Sequence, residues 1–220
     1  MPSPILSTVT EIALSAIPIV FAVTLHEIGH GWVARQLGDP TAAKLGRLSS
    51  NPLRHIDPIG TVLLPLLLIL TKAGFIFGWA KPVPINWRNL RSLRRDMALV
   101  ALAGPGANVL QVLFWVSVVW VALPNASTSP YLASSLVRMA DIGLKANIAL
   151  VVFNLIPLPP LDGSRVVSSV LPRSLAIKYN GLEPYGLFII MGLLMLGWMD
   201  DIISPLFRVG RDLAYALLPG

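Results

Sequence analysis

Long apolar runs, separated by shorter polar stretches, set the pattern of this chain. Because about 20 apolar residues in a helix cross the hydrocarbon core of a membrane, we predict four spanning helices. They are Ile12–Ala34, Met97–Leu123, Asp141–Ile156 and Leu182–Met199. The pattern therefore predicts an all-α polytopic membrane protein, with a bundle of about four to five transmembrane helices in a single domain over residues 1–220.

A fifth apolar stretch, Ile59–Phe77, is less regular than the four runs. It contains Pro65 and Lys72, and the prolines of Trp79–Pro84 predict extended or looped backbone after it. We expect this segment to be re-entrant or to lie on the membrane surface. The C-terminal piece, Asp200–Gly220, mixes apolar and basic residues, which predicts an interfacial helix.

Composition agrees with a membrane protein. Hydrophobic residues make up 55% of the chain and charged residues 13%, with a mean hydropathy of +0.71, and a soluble domain is less apolar. The net charge of +6 does not indicate nucleic-acid binding, because the Lys and Arg residues lie in loops that flank apolar runs, where they set topology and contact anionic lipid. We expect the lipid bilayer as a partner and no nucleic acid. There is no cysteine, which excludes disulfides and thiolate metal ligands.

The first apolar run contains the pentapeptide His26-Glu27-Ile28-Gly29-His30. Residues four apart lie on one helix face, so His26 and His30 can offer two imidazole nitrogens to one Zn²⁺, and Glu27 can act on water as a general base. A lone histidine on an apolar face is usually a satisfied core residue, but three ionisable side chains at membrane depth are costly unless they are paired or bind a metal. The motif predicts a catalytic zinc site, and we expect this run to be retained and not cleaved as a signal peptide.

A catalytic zinc site usually has three protein ligands and one open position. The segment Asn154–Gly163, with sequence NLIPLPPLDG, ends the third run. Its prolines break the helix, and irregular backbone at membrane depth is tolerated only inside protein or against a cavity. Asp162, expected on irregular backbone, is the candidate third ligand; the alternative is an ordinary Asp-Gly turn. Asn154 offers an amide to an oxyanion or to substrate backbone, or makes an ordinary helix-end hydrogen bond.

These two motifs resemble those of the site-2 protease family of intramembrane zinc metalloproteases. The stretches GRLSSNPLRHIDPIGT, GWAKPVPIN and AGPGAN extend the resemblance over most of the chain. The resemblance implies that His26, His30 and Asp162 bind one Zn²⁺ per chain. It also implies that Glu27 activates water, that Asn154 positions substrate or stabilises the oxyanion, and that the substrates are transmembrane proteins.

The resemblance also bears on domain organisation. We expect a catalytic core over about residues 12–163, followed by a C-terminal helix and interfacial tail over residues 164–220. No segment resembles the PDZ or CBS domains that some members of the family carry.

Topology can be predicted from the number of membrane crossings between the two metal motifs and from the positions of the basic residues. Both metal motifs lie toward the C-terminal ends of their helices, so these helices must run parallel, with an odd number of crossings between them. Met97–Leu123 supplies one crossing, so Ile59–Phe77 should not supply another. Basic residues flank that segment on both sides, which places both flanks in the cytoplasm: Arg35, Lys44, Arg47 and Arg54 before it, and Lys81, Arg88, Arg91, Arg94 and Arg95 after it. We predict a multi-pass protein of the cell membrane whose active site opens toward the cytoplasm.

We expect His55 to serve loop structure, because a fourth ligand would close the open zinc position. Asn108, which follows the small residues of AGPGAN, either binds substrate or bridges helices. A non-catalytic, metal-stabilised membrane protein that binds helical clients would not need Glu27. A metal or ion transporter would be expected to carry further carboxylates along a path.

Overall fold

The computed structural model describes residues 4–72 and 78–219, and these residues form helices and loops with no β-strand among them. The α-helices are α1 (Pro4–Gln36), α2 (Thr41–Lys44), α3 (Leu64–Leu70), α4 (Leu93–Ala122), α5 (Pro130–Asn154), α6 (Asp162–Val170), α7 (Arg173–Asn180), α8 (Glu183–Met195) and α9 (Trp198–Tyr215). The all-α prediction is confirmed for this part of the chain.

Helices α1, α4 and α5 pack against one another and form the centre of the fold. Small side chains are buried where they meet, including Ala22 on α1, Ala101 on α4 and Ala140 on α5. Small residues let helix backbones approach closely. At Gly143 on α5, a β-carbon would overlap the indole ring of Trp115 on α4, so glycine is required at this crossing.

The number of spanning helices differs from the prediction. Within the described residues, two segments are long and apolar enough to cross a membrane, Thr10–Gln36 and Leu93–Asn125. They correspond to the first two predicted spans. The predicted total of four to five spanning helices is not confirmed.

The last predicted span, Leu182–Met199, is wrong as a single helix. Its apolar residues form α8, which has 13 residues, fewer than the roughly 20 that a straight span needs. Gly197 adopts φ = +73°, a left-handed conformation that ends a helix, and α9 begins at the next residue.

The third predicted span, Asp141–Ile156, is the C-terminal part of the longer helix α5. The N-terminal part of α5, residues 130–140, is more polar than the predicted span, with Ser134, Ser135 and Arg138. The Arg138 guanidinium lies 2.5 Å from Glu11 on α1. These polar residues interrupt the apolar run, so the pattern placed the start of the helix too late.

The segment Ile59–Phe77 forms a short helical element. Residues Pro58–Leu63 form one stretch of π-helix that continues as α3, and residues 73–77 of the predicted segment lie outside the described residues. At about 1.5 Å per residue, the helix from Pro58 to Leu70 is too short to cross about 30 Å of hydrocarbon. Its placement as a re-entrant or surface segment stays a prediction.

The stretch after it, residues 78–86, forms neither helix nor strand, in agreement with the extended or looped backbone that its prolines predicted, and we call it the extended stretch. Backbone hydrogen bonds tie it to the preceding loop, from Trp79 N–H to the Gly60 carbonyl at 3.1 Å and from Lys81 N–H to the His55 carbonyl at 2.9 Å. The Arg47 guanidinium donates to the Lys81 carbonyl at 2.9 Å. This extended stretch is therefore held firmly beside the C-terminal half of α1.

Asp39, just beyond α1, anchors the other end of the stretch. Its carboxylate accepts hydrogen bonds from the Asn86 amide at 2.7 Å and from the Asn89 side chain at 2.8 Å, and also from the Thr41 hydroxyl. Burial would raise the pKa of this carboxyl, but the hydrogen bonds outweigh burial and lower it.

The C-terminal part of the fold encloses the end of α5. Helix α5 ends at Asn154, residues 155–161 are irregular, and α6 begins with Asp162. The prediction that Asp162 lies on irregular backbone is wrong: it is the first residue of a helix. A β-carbon at Gly163 would overlap the Leu155 carbonyl, so the Asp-Gly pair lets α6 start directly against the end of α5. The predicted C-terminal helix forms as α9, Trp198–Tyr215, and packs on α5; its interfacial placement stays a prediction.

Candidate metal centre

His26 and His30 lie one turn apart near the C-terminal end of α1, and both are buried. Their rings meet edge to face, with centroids 4.7 Å apart. The two Nε2 atoms lie 3.1 Å from each other. The one-turn spacing of the motif thus brings two imidazole nitrogens to one point, as predicted.

The other nitrogen of each ring is held by α4. His30 Nδ1 lies 2.7 Å from the Val100 carbonyl, and His26 Nδ1 lies 2.6 Å from Asn108 Oδ1. A carbonyl oxygen can only accept, so His30 carries its hydrogen on Nδ1 and its Nε2 presents a lone pair. A partner of this kind on the outer nitrogen is usual for a metal-binding histidine.

Asp162 joins the two histidines from the start of α6. Its Oδ2 lies 3.3 Å from His26 Nε2 and 3.2 Å from His30 Nε2. This oxygen is buried and has no hydrogen-bond partner within the described part of the chain. Three acceptor atoms that face one another at these distances repel unless a cation lies between them.

The size of this triangle suits a tetrahedral zinc ion. Ligand atoms at about 2.0–2.1 Å from such an ion lie about 3.3 Å from one another, and the three distances here are 3.1, 3.2 and 3.3 Å. Among the residues that the structure describes, this is the group of metal-binding side chains that comes together. Nitrogen and carboxylate donors with one open position match a catalytic zinc site.

The small residues on α4 make room for the two rings. A β-carbon at Gly104 would overlap the imidazoles of both His26 and His30. A β-carbon at Gly29 would lie 2.7 Å from the Ala103 carbonyl. The AGPGAN stretch therefore lets α1 and α4 approach closely at the metal centre.

Glu27 lies beside the histidines on the wall of an open cavity. Its Oε2 accepts a hydrogen bond from the backbone N–H of Val83 at 2.7 Å. Val83 belongs to the extended stretch anchored by Asp39 and Arg47, so this stretch fixes the orientation of the Glu27 carboxylate. No sequence signal reveals the contact, because the donor is a backbone amide.

The cavity measures about 570 Å³ and lies between α1, the extended stretch, the end of α5 and the starts of α6 and α8. Its size falls within the usual range of ligand sites, about 300–1,000 Å³. The predicted metal ligands, Glu27 and Asn154 all line it. Apolar walls with a few convergent polar groups are typical of a ligand site.

Asn154 reaches this cavity from the last turn of α5. Its Nδ2 donates to the Leu150 carbonyl at 3.0 Å, which is the ordinary helix-end hydrogen bond considered for it. An amide nitrogen carries a second hydrogen. The role of Asn154 in positioning substrate stays a prediction.

His55 does not belong to the group of metal-binding side chains found in the described residues. Its Nε2 lies 2.9 Å from the Ser49 carbonyl, which fits the predicted role in loop structure. Asn108, whose role the sequence left open, contacts a candidate ligand directly.

The chain is similar in sequence to known proteins of bacteria. The chain is 35% identical over 199 residues to "Putative zinc metalloprotease YwhC" of Bacillus subtilis (strain 168), covering 89% of this chain and 86% of that protein. It is 29% identical over 205 residues to "Putative zinc metalloprotease Rip2" of Mycolicibacterium smegmatis, covering 91% and 75%. It is 28% identical over 193 residues to Rip2 of Mycobacterium tuberculosis (strain H37Rv), covering 84% and 70%. No protein-family model matches the chain, and no solved structure matches it.

Proposed function

The chain belongs to the same family as YwhC of Bacillus subtilis, a family whose proteins are named as zinc metalloproteases, and we propose that it is an intramembrane protease of the site-2 protease type. It hydrolyses peptide bonds within or near the transmembrane segments of membrane proteins. The observation that carries this proposal is the triangle of His26, His30 and Asp162 with Glu27 beside it on an open cavity.

The three triangle residues would hold one Zn²⁺ per chain, and all three line the cavity. Bound zinc supplies Lewis-acid chemistry, since it polarises a peptide carbonyl and lowers the pKa of water toward about 7. The Nδ1 partners on α4 keep both imidazoles oriented toward the centre.

Glu27 acts as the general base and then as the general acid. Its carboxylate accepts a proton from the attacking water and returns it to the leaving amine. The Val83 amide holds Oε2, which leaves Oε1 to carry the proton. Asn154 directs its second amide hydrogen toward the oxyanion that develops on the substrate carbonyl.

The substrate reaches the cavity as an unwound peptide. A transmembrane helix hides its carbonyls in its own hydrogen bonds, and exposed backbone in lipid is costly. Substrates with Gly, Pro or Asn near the scissile bond therefore unwind more easily. The cavity is expected to open toward the cytoplasm, on the side where the basic loops lie.

Two other functions have less support. A non-catalytic client-binding protein has no use for a carboxylate held in place beside an open metal position. A transporter needs a polar path through the molecule, whereas the metal-binding side chains, Glu27 and Asn154 line the same cavity.

Cleavage in a defined membrane tests the proposal. The purified chain is reconstituted in vesicles with a library of tagged single-span proteins, and the cleavage sites are mapped by mass spectrometry. We expect cuts inside or next to the spans, loss of cutting with a zinc chelator, and recovery on adding zinc. Cuts confined to soluble domains, or cutting that the chelator does not affect, would contradict the proposal.

A further inference from the structure

Two asparagines form a buried polar chain behind His26. Asn108 on α4 and Asn147 on α5 are both fully buried. Asn108 Oδ1 lies 2.6 Å from His26 Nδ1. Asn108 Nδ2 donates to Asn147 Oδ1 at 2.8 Å, and Asn147 Nδ2 donates to the Gly143 carbonyl at 2.8 Å.

The Gly143 carbonyl, at the end of this row of hydrogen bonds, fixes the direction of every hydrogen bond in the row. The Gly143 carbonyl can only accept, so Asn147 must turn its amide nitrogen toward it and its oxygen toward Asn108. Asn108 must then turn its nitrogen toward Asn147 and its oxygen toward His26. The Ala22 carbonyl, which accepts from Asn108 Nδ2 at 3.1 Å, fixes the same orientation a second time.

The orientation of Asn108 determines the tautomer of the His26 imidazole. Because Asn108 presents an oxygen, His26 must donate from Nδ1, and the neutral ring then has its lone pair on Nε2. That is the atom that faces Asp162. An Asn108 amide turned the other way would favour the opposite tautomer, with a hydrogen on Nε2 where the metal must bind.

We propose that Asn108, held by Asn147 and the Ala22 carbonyl, is a positioning residue that presets the tautomer and orientation of His26 for zinc binding. This inference rests on the proposed function. His30 has no need of such a chain, because its partner is the Val100 carbonyl, a backbone acceptor that cannot be reversed. A side-chain amide can be reversed, and two further hydrogen bonds prevent this.

The alternative role, a bridge that only joins helices, makes different demands on residue 108. A bridge needs the Nδ2 donor that joins Asn108 to α5 and to Ala22. The tautomer of His26 needs an oxygen acceptor, which a carboxylate presents in either orientation and an amide presents only when its nitrogen is held. Aspartate keeps the acceptor and loses the donor, so the two roles predict opposite outcomes for Asn108→Asp.

Zinc affinity of purified variants, measured by competition with a chelator, tests the inference. For Asn108→Leu, which loses the acceptor at similar volume, we expect zinc binding weaker by about 10- to 100-fold, the usual effect of losing an outer partner of a metal ligand. For Asn108→Asp we expect affinity within about threefold of the native chain, because a carboxylate also accepts from a metal-binding histidine.

Gln111→Leu is the matched control. Gln111 lies one turn along α4 from Asn108, is also buried, and donates to the same Ala22 carbonyl at 3.4 Å, but it makes no hydrogen bond to His26 in the described structure. We expect native zinc affinity for this variant. Asn147→Leu, which frees Asn108 to reverse, is expected to weaken zinc binding less than Asn108→Leu does.

Three results would overturn the inference. These are native zinc affinity in folded Asn108→Leu, equal losses in Asn108→Leu and Asn108→Asp, or an equal loss in Gln111→Leu. If Asn108→Leu does not fold, the other two variants still test the inference. Native zinc affinity in Asn147→Leu, together with a large loss of zinc affinity in Asn108→Asp, would overturn it. If the native chain itself binds no zinc, the proposed function fails together with the inference; if the native chain binds zinc and only these comparisons fail, the proposed function stands.

Discussion

At the scale of single residues, Asp162 is the ligand on which the metal centre depends most. Of the three candidate ligands it alone is a carboxylate, and its Oδ2 has no partner among the described protein atoms. We predict that Asp162→Ala weakens zinc binding by more than about a hundredfold, beyond the effect of losing an outer partner, and that cleavage is lost with it. Metal analysis of the purified variant measures this.

Asp141→Ala is the control for Asp162→Ala. Asp141 is also a carboxylate at a helix surface, but it pairs with Lys145 and does not belong to the metal group. Native zinc content in folded Asp162→Ala would show that another residue is the third ligand, and His55 would be the first candidate.

Gly104 makes a second prediction at this scale. A β-carbon there would overlap both imidazole rings, whereas a β-carbon at Gly106 meets nothing within 4 Å. We predict that Gly104→Ala displaces the rings, reduces zinc content, and lowers the free energy of unfolding by about 1–3 kcal/mol, as overpacking does. Gly106→Ala, on the same helix, should keep native zinc content and stability. Equal behaviour of the two variants would contradict the close approach of α4 to the metal centre.

The side chains that form the site were largely predictable from the sequence, whereas the backbone groups that hold them in place were not. The spacing of His26, Glu27 and His30 follows from helix geometry alone. The Val83 amide that holds Glu27 and the Val100 carbonyl that holds His30 depend on how distant segments fold, and every residue carries such groups. Asn108 was visible as a polar residue in a small-residue stretch, but its partner could be identified only from the packing of α1 on α4.

At the scale of elements, the extended stretch over residues 78–86 connects the loops to the catalytic base. Asp39 holds the end of this stretch through the Asn86 amide and the Asn89 side chain. We predict that Asp39→Asn lowers kcat/KM by about ten- to a hundredfold, since small misplacements of catalytic groups have effects of this size, while zinc content stays native. Asp212→Asn, on the exposed surface of α9, is the control. Loss of zinc in Asp39→Asn, or unchanged cleavage, would contradict the role given to the stretch.

The same anchor has a defined pH dependence. Because the pKa of Asp39 is lowered in the folded chain, its contribution to stability is complete above the ordinary value of about 3.9 and is lost as pH falls through the lower folded value. The anchor is therefore intact throughout the neutral range.

Element boundaries departed from the prediction where the apolar pattern lacks the deciding information. The start of α5 carries Ser134, Ser135 and Arg138, which interrupt the apolar pattern, and hydropathy cannot detect that Arg138 pairs with Glu11 on α1. The end of α8 is set by the left-handed conformation of Gly197, one of 17 glycines in the chain. Helices α1 and α4, which are long and mostly apolar, were predicted as spans, although α1 begins at Pro4 and not at Ile12.

At the scale of the whole molecule, the two flanks of the short helix Pro58–Leu70 meet on one side. The Arg47 side chain donates to the Lys81 carbonyl, and the Arg91 amide donates to the Leu37 carbonyl just after α1. Each contact joins a residue before the short helix to a residue after it, which supports the prediction that Ile59–Phe77 does not cross the membrane.

Single cysteines test this topology, because the native chain has none. We predict that cysteines at Arg47 and Arg91 resist an impermeant thiol reagent in intact cells and react after permeabilisation, as expected for cytoplasmic basic loops. A cysteine at Ser127, beyond α4, should react from outside. Labelling of the Arg47 and Arg91 positions from opposite sides would mean that the segment between them spans the membrane.

The central claim is that this chain is a zinc protease whose base is Glu27, and Glu27→Gln tests it most directly. The substitution keeps the size of the side chain and all three metal ligands but removes the group that accepts the proton. We predict that the purified variant binds one zinc per chain with native affinity and cleaves reconstituted substrates at less than about a hundredth of the native rate, the lower bound for loss of general base catalysis. Native zinc content with undiminished cleavage would contradict the claim.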